Sequence, residues 1–205
     1  GILGHHEVSH QLVEALKRLE YRGYDSAGVA TVDASGRLDR RRAVGKLINL
    51  SDRLVHEPLT GHAGIGHTRW ATHGAATEAN AHPHRRGPVA VVHNGIIENF
   101  RALRDEVIAL GMQPESQTDT ETVALLTAWH MSQGLGPVEA ARATLGRLHG
   151  AFALAFLFEG EADLMIAARR GSPLAIGHGD GEMFLGSDAV ALAPLAKVSV
   201  VMIAS

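Results

Sequence analysis

Apolar residues in this chain recur at two spacings, and the order in which those spacings follow one another constrains the fold more than any other feature. Val8, Leu12, Ala15, Leu16 and Leu19 fall on one helical face, so a helix is expected over about residues 8–20. The turn-rich Arg22–Gly28 breaks it. Val29-Ala30-Thr31-Val32 then reads as a strand closed by Asp33-Ala34-Ser35-Gly36, and with the basic Arg37–Arg42 stretch it predicts a hairpin. Lys46 to His56 reads as a helix ended by Pro58. Val89–Val92 is a continuous apolar run, hence a buried strand, expected to stop at the turn signal His93-Asn94-Gly95. Helices are expected from about residue 98 to Gly111, and from the Thr118-Asp119-Thr120-Glu121 capping box to about Gln133. Pro137 suits the first position of another, ending near Gly150. Ala151–Phe158, Asp163–Ala168, Leu174–Ile176 and Met183–Leu185 then read as short strands. Helices and strands do not alternate regularly, so the class is α+β and not a doubly wound parallel sheet.

Composition narrows the function. The chain has 205 residues, room for one domain with a sizeable core. Its net charge of -3 gives no reason to expect nucleic acid or an anionic membrane as partner. No apolar run reaches the ~18 residues of a membrane span. The opening Gly-Ile-Leu-Gly-His-His-Glu is not expected to be a signal peptide, since it has neither a basic nor a sustained apolar region. There is no cysteine, so disulfides and thiolate metal sites are out, and a cytoplasmic location is expected. Aromatics are only 4%, so Ala, Val, Leu and Ile must build the core. Residues 61–86 are rich in Gly, His, Thr and Asn, the composition of loops that carry function. The 13 histidines invite a metal reading, but His5-His6 and His82-Pro83-His84 lack a third ligand at a recognised spacing. Pro83 also prevents helical i, i+4 presentation. Neither a metal nor a cofactor is expected.

Five segments stand out: Leu19–Gly28, His67–Gly74, Asn80-Ala81-His82-Pro83-His84, His93–Asn99 and Thr118–Glu121. Each is weak alone. Together and in this order they resemble the glutaminase domains, class II glutamine amidotransferases, of the isomerising glutamine–fructose-6-phosphate aminotransferases. The resemblance runs from Gly1 to about Pro194. It implies an N-terminal-nucleophile hydrolase fold, a four-layer αββα sandwich of two antiparallel sheets.

Hydrolysing a glutamine amide needs a nucleophile, a base, an oxyanion site and grips on two charged ends. Asn94 offers an amide donor, and Gly95 lets backbone approach a ligand closely with its N–H available. Such a pair suits an oxyanion, although the dipeptide alone would read as a hairpin turn. Arg69 carries a planar fork suited to an α-carboxylate. Asp119 suits an α-ammonium, and a carboxylate in the first helical turn is also favoured by the helix dipole. The resemblance assigns these roles to the matching residues. It places Thr72 and His73 in the same substrate loop as Arg69, sets Arg22 beside the nucleophile, and gives Trp70 a part in closing the site and gating ammonia. His82 reads as a structural or loop-positioning residue.

In such domains the nucleophile is an N-terminal cysteine with its own α-amine as base, in the opening Cys-Gly-Ile-Val-Gly. Gly1 would follow either that cysteine directly or the whole segment Cys-Gly-Ile-Val. The distance to Arg22-Gly23-Tyr24-Asp25-Ser26-Ala27-Gly28 favours the second, with Gly1 four residues after the cysteine. A polypeptide beginning at Gly1 is therefore expected to lack glutaminase activity. Residues 1–205 are expected to be one glutaminase domain without its cysteine-bearing start and without a C-terminal sugar-phosphate isomerase domain. Lys197–Ser205 does not read like the acidic strand expected there. The implied substrates are L-glutamine and, through the isomerase domain, fructose 6-phosphate, with a homodimer in the full-length enzyme. Three alternatives stay open: a class II amidotransferase with another ammonia acceptor, a catalytically dead glutamine-binding module, and a His-rich metal-binding protein.

Overall fold

A computed structural model describes residues 1–71, 74–195 and 198–202. The first half runs β1 (Ile2–Leu3), α1 (Ser9–Lys17), a 3-10 turn (Glu20–Arg22), β2 (Ser26–Val32), β3 (Leu38–Val44), α2 (Leu47–His56), β4 (Ala63–Arg69), β5 (His84–Arg86) and β6 (Val89–Ile97). It continues with α3 (Phe100–Ala109), α4 (Asp119–Ser132), α5 (Pro137–Leu145), β7 (Gly150–Phe158), β8 (Met165–Arg170), β9 (Ala175–His178), β10 (Met183–Gly186), α6 (Ala189–Leu192) and β11 (Val198–Met202). One seven-stranded sheet has the order β11-β9-β10-β1-β4-β2-β3, and a four-stranded sheet the order β5-β6-β7-β8. Every pairing of these strands is antiparallel. Helices α1 and α2 pack on the larger sheet, α4 and α5 on the smaller, and the sheets face each other through β4, β6 and β7. This is the expected αββα sandwich.

Each layer junction has its own apolar core. Val8, Leu12 and Leu16 on the α1 side meet Leu47, Leu50 and Val29 over the larger sheet. Val123, Leu125 and Leu126 of α4 fill the layer beneath that helix together with Phe152, Leu154 and Phe156 of β7. Between the sheets the core is built from smaller groups, with Ala30, Ala63, Ala90 and Ala155 beside Val32, Ile65 and Leu157. A chain this poor in aromatics keeps its two sheets close with alanine. Leu125 and Leu126 are fully buried, each contributing about 1.5–3 kcal/mol of burial free energy.

Three expectations need correction. Residues 61–86 are not all loop, because β4 lies inside the larger sheet, paired with both β1 and β2. Its glycines are there for close packing: a Cβ at Gly64 would stand 2.6 Å from Val8 Cγ2 and 2.7 Å from Leu12 Cδ1, so glycine lets α1 sit directly on the strand. His93-Asn94-Gly95 is not a turn. β6 runs on to Ile97, with Asn94 opposite Ala153 and Gly95 opposite Phe152. A tight Asn-Gly turn needs positive φ at both residues, and only Gly95 has it, at 115°. A Cβ there would come 2.1 Å from the Ala151 carbonyl oxygen, so the long partner strand carries the glycine through. The tail also differs, since Val198–Met202 forms β11 against β9, while Lys197 and residues 203–205 lie outside the described residues.

The Thr118 cap is present in part. Its Oγ1 accepts from the Glu121 N–H at 3.3 Å, but the Glu121 carboxylate turns away to accept from Glu115 N–H at 2.8 Å and Ser116 N–H at 2.7 Å. It ties down the preceding loop instead of closing a reciprocal capping box.

Candidate active site

The ends of β4 and β6 and the start of α4 converge on one cavity of about 480 Å³. Arg22, Arg69, Trp70, Asn94, Gly95 and Asp119 all line it, as does Gly1. Thr72 and His73, expected in the same loop, lie outside the described residues. The structure thus brings together every described residue singled out from sequence for catalysis or binding.

Arg69 ends β4 and is 4% exposed. Its Nη1 donates to Asp25 Oδ1 at 3.3 Å and to the Ala75 carbonyl at 3.2 Å, and Nη2 donates to the Gly74 carbonyl at 3.0 Å. Asp25 leads into β2, and register pairs Ser26 with Arg69, which sets the acid beside the guanidinium. Sequence reasoning does not single out Asp25, although it sits inside the Arg22–Gly28 motif. A buried cation's need for a nearby acid is the signal that could have found it.

Asp119 is buried at the first position of α4. Its Oδ2 accepts from the Ile97 N–H at 3.0 Å and its Oδ1 from the Thr120 N–H at 2.9 Å. These two bonds fix its direction at the positive end of the helix, where a negative charge is favoured. Asn94 is half-buried on β6, and its Oδ1 bonds His67 Nε2 at 2.8 Å. Gly95 follows it, exposed to the cavity.

Arg22 lies at the rim. Its Nη2 pairs with Asp188 Oδ2, and its Nε donates to the Tyr21 hydroxyl at 3.1 Å. Asp188 in turn accepts from Val190 N–H at 2.9 Å, and these donors hold its carboxyl below the usual range. Trp70 is 68% exposed, so it is no core aromatic. Its ring lies over Gly23, where a Cβ would stand 2.5 Å away.

Spacing does not reveal a histidine cluster of which His67, His82 and His93 line the cavity, with His84 next to them. The His67 and His82 rings stack at 4.2 Å, and His84 meets His82 edge-on at 4.9 Å. Thr120 Oγ1 lies 3.1 Å from both His93 Nδ1 and His82 Nε2, and Thr118 Oγ1 lies 2.9 Å from His84 Nε2. Burial pushes His67 down to about 4, and His82 and His84 well below the ordinary histidine value. All three are neutral at pH 7. Among the described residues, no group of three or more His, Cys, Asp or Glu is placed to hold a metal ion. Nor is any described helix long and apolar enough to cross a membrane.

Comparison with known proteins places this geometry. Residues 67–194 match the family model described as a glutamine amidotransferase domain. The chain is 66% identical over 194 residues to glutamine–fructose-6-phosphate aminotransferase (isomerising) of Mesorhizobium japonicum, covering 95% of this chain and 32% of that protein. The protein of the same name from Gluconobacter oxydans is 59% identical over 197 residues, 96% of this chain and 32% of its own length. The chain therefore spans about a third of the curated relatives it matches. Among solved structures, a glutamine phosphoribosylpyrophosphate amidotransferase from B. subtilis superposes with a TM-score of 0.80 at 26% identity, over 94% of this chain and 42% of that one.

Proposed function

The chain belongs to the glutamine amidotransferase domain family, and from that premise we propose that it binds L-glutamine in the cavity between β4, β6 and α4 and supports hydrolysis of its side-chain amide. One observation carries this reading: residues far apart in sequence, Arg69, Asn94, Gly95 and Asp119, border a single cavity that Gly1 also borders. Arg69 takes the α-carboxylate, sharing its fork with the carbonyls that now hold it. Asp119 takes the α-ammonium, with its carboxylate already aimed by two backbone N–H groups. The substrate amide then lies toward Asn94 and Gly95. There the Asn94 amide and the Gly95 N–H receive the oxygen that becomes negative when a nucleophile adds to the carbonyl. The resemblance puts that nucleophile, a cysteine thiol with its own α-amine as base, four residues before Gly1. Arg22 at the same rim favours the thiolate. Trp70, exposed over Gly23, covers the mouth through which ammonia leaves.

The relatives at 59% and 66% identity are named for fructose 6-phosphate. On that ground the ammonia acceptor is fructose 6-phosphate, bound by a further domain, with glucosamine 6-phosphate as product. The test joins Cys-Gly-Ile-Val ahead of Gly1 and measures glutamate release from L-glutamine. Release is expected from this protein and not from its Cys→Ala counterpart. Equal release by both, or none by either folded protein, overturns the thiol reading.

A further inference from the structure

We propose that His67 is a positioning residue for the oxyanion donor: its Nε2–H holds Asn94 Oδ1 and so turns the amide nitrogen of Asn94 toward the cavity. The inference rests on the proposed glutaminase site and deepens it.

An asparagine amide is nearly symmetric in shape, and only its nitrogen end can donate. An amide free to flip would present its carbonyl oxygen to a developing oxyanion much of the time, and that is repulsive. Oδ1 of Asn94 lies 2.8 Å from His67 Nε2, so the acceptor end is engaged from behind. The tautomer follows from the surroundings. His67 is neutral at pH 7, because burial pushes it down to about 4; the Asn94 oxygen and the His93 backbone pull the other way without offsetting burial. Its Nδ1 is buried and makes no well-aligned hydrogen bond, the His93 backbone offering at best a strained one. A proton on Nδ1 would leave a buried donor poorly satisfied and set the Nε2 lone pair against the Asn94 oxygen. A proton on Nε2 leaves only an acceptor unpaired, the cheaper outcome.

The ring itself is held. His67 sits on β4, with Gly28 as its partner on β2, and stacks on His82 at 4.2 Å. His82 Nε2 is fixed in turn by Thr120 Oγ1 on α4, one residue after Asp119. The group that aims the oxyanion donor and the acid assigned to the ammonium thus share one buried frame. His67 also lines the cavity, so whether its effect passes through Asn94 is what the coupling between the two residues decides.

The experiment uses the protein carrying the N-terminal cysteine and compares His67→Met, which fills similar space without a donor, with His67→Gln, which restores an N–H donor. His67→Met is expected to lower kcat for glutamine hydrolysis about tenfold or more, as misplaced catalytic groups do, with KM changed less than about twofold, while His67→Gln recovers most of the loss. In an Asn94→Ala background His67→Met should change kcat by less than about twofold, because the donor it aims is gone. An equal loss in both backgrounds, or a His67→Gln variant as impaired as His67→Met, overturns the proposal. Nitrogen NMR of the unsubstituted protein tests it without any variant: His67 should carry its proton on Nε2 throughout the neutral pH range, and a proton on Nδ1 overturns it. Asn94→Ala alone keeps the two readings apart. If that variant retains full kcat, the oxyanion assignment fails and takes this inference with it; if it loses activity but shows no coupling to His67, only the inference fails.

Discussion

At Arg69 the charge and the shape of the side chain have separate consequences. The guanidinium spends donors on Asp25, Gly74 and Ala75, so it holds the 74–75 segment in place while facing the cavity. A lysine keeps the charge but not the planar fork. If the guanidinium grips the glutamine α-carboxylate, Arg69→Lys removes part of a charge-assisted pair worth about 1.5–3 kcal/mol. The glutamine KM is then expected to rise roughly tenfold or more, with a smaller change in kcat, in steady-state assays of the cysteine-bearing protein. A KM that stays put removes Arg69 from substrate binding and leaves it as a loop clamp. Asp119 presents the same doubling of roles. Its carboxylate secures the Ile97 and Thr120 N–H groups whatever it binds, so Asp119→Asn alone does not separate structure from recognition.

At the scale of elements, the contact of α1 with β4 is set by glycine. Gly64→Val would force side-chain atoms into Val8 and Leu12, already 2.6 and 2.7 Å from a bare Cβ. Overpacking of this kind costs about 1–3 kcal/mol, so the urea midpoint should fall at unchanged slope. A midpoint equal to that of the unsubstituted protein would mean that the helix rides freely on the sheet. This contact also shows what can be read in advance. The face formed by Val8, Leu12 and Leu16 is legible, because helical spacing depends on local residues alone. β4 is not, because Gly64, Gly66 and His67 look like loop residues until the opposing helix and the His82 ring are present to need them. β6 reads short for a related reason. Asn94-Gly95 carries a strong local turn preference, and the nine-residue pairing with β7 overrides it. Motif order finds residues that line one cavity, Arg22, Arg69, Trp70, Asn94, Gly95 and Asp119. The frame behind them, His67 to Asn94 and Asp25 to Arg69, depends on pairing between distant strands and has no local signature.

Across the whole molecule the buried histidines join the two sheets to α4. His67 belongs to the larger sheet, His84 and His93 to the smaller, and Thr118 and Thr120 at the α4 start bond His82, His84 and His93. The cost of this arrangement appears in acid. His67, His82 and His84 have folded-state values depressed below the ordinary 6.5 by burial, His67 to about 4. The unfolded chain therefore binds more protons than the folded one below pH 6.5, and stability falls with pH there. Well above pH 6.5 the rings are neutral in both states and contribute no slope. Between pH 6.5 and about 4, His67 alone costs roughly 3 kcal/mol, since lowering a pKa by one corresponds to about 1.36 kcal/mol. His82 and His84 steepen the fall and carry it to lower pH. The buried Gly1 amine, pushed by burial from 8.0 down to about 5, already makes the unfolding midpoint fall gradually below pH 8, and the histidines should make it drop more steeply from 6.5 downward, with net proton uptake on unfolding throughout. His84→Gln, which keeps a polar partner for Thr118 but cannot be protonated, should flatten the drop while lowering the midpoint at alkaline pH. Thermal melts across this range decide the matter: a midpoint that falls no more steeply below pH 6.5 than above it would mean that the rings already accept protons in the folded state and that the histidine frame is open to water.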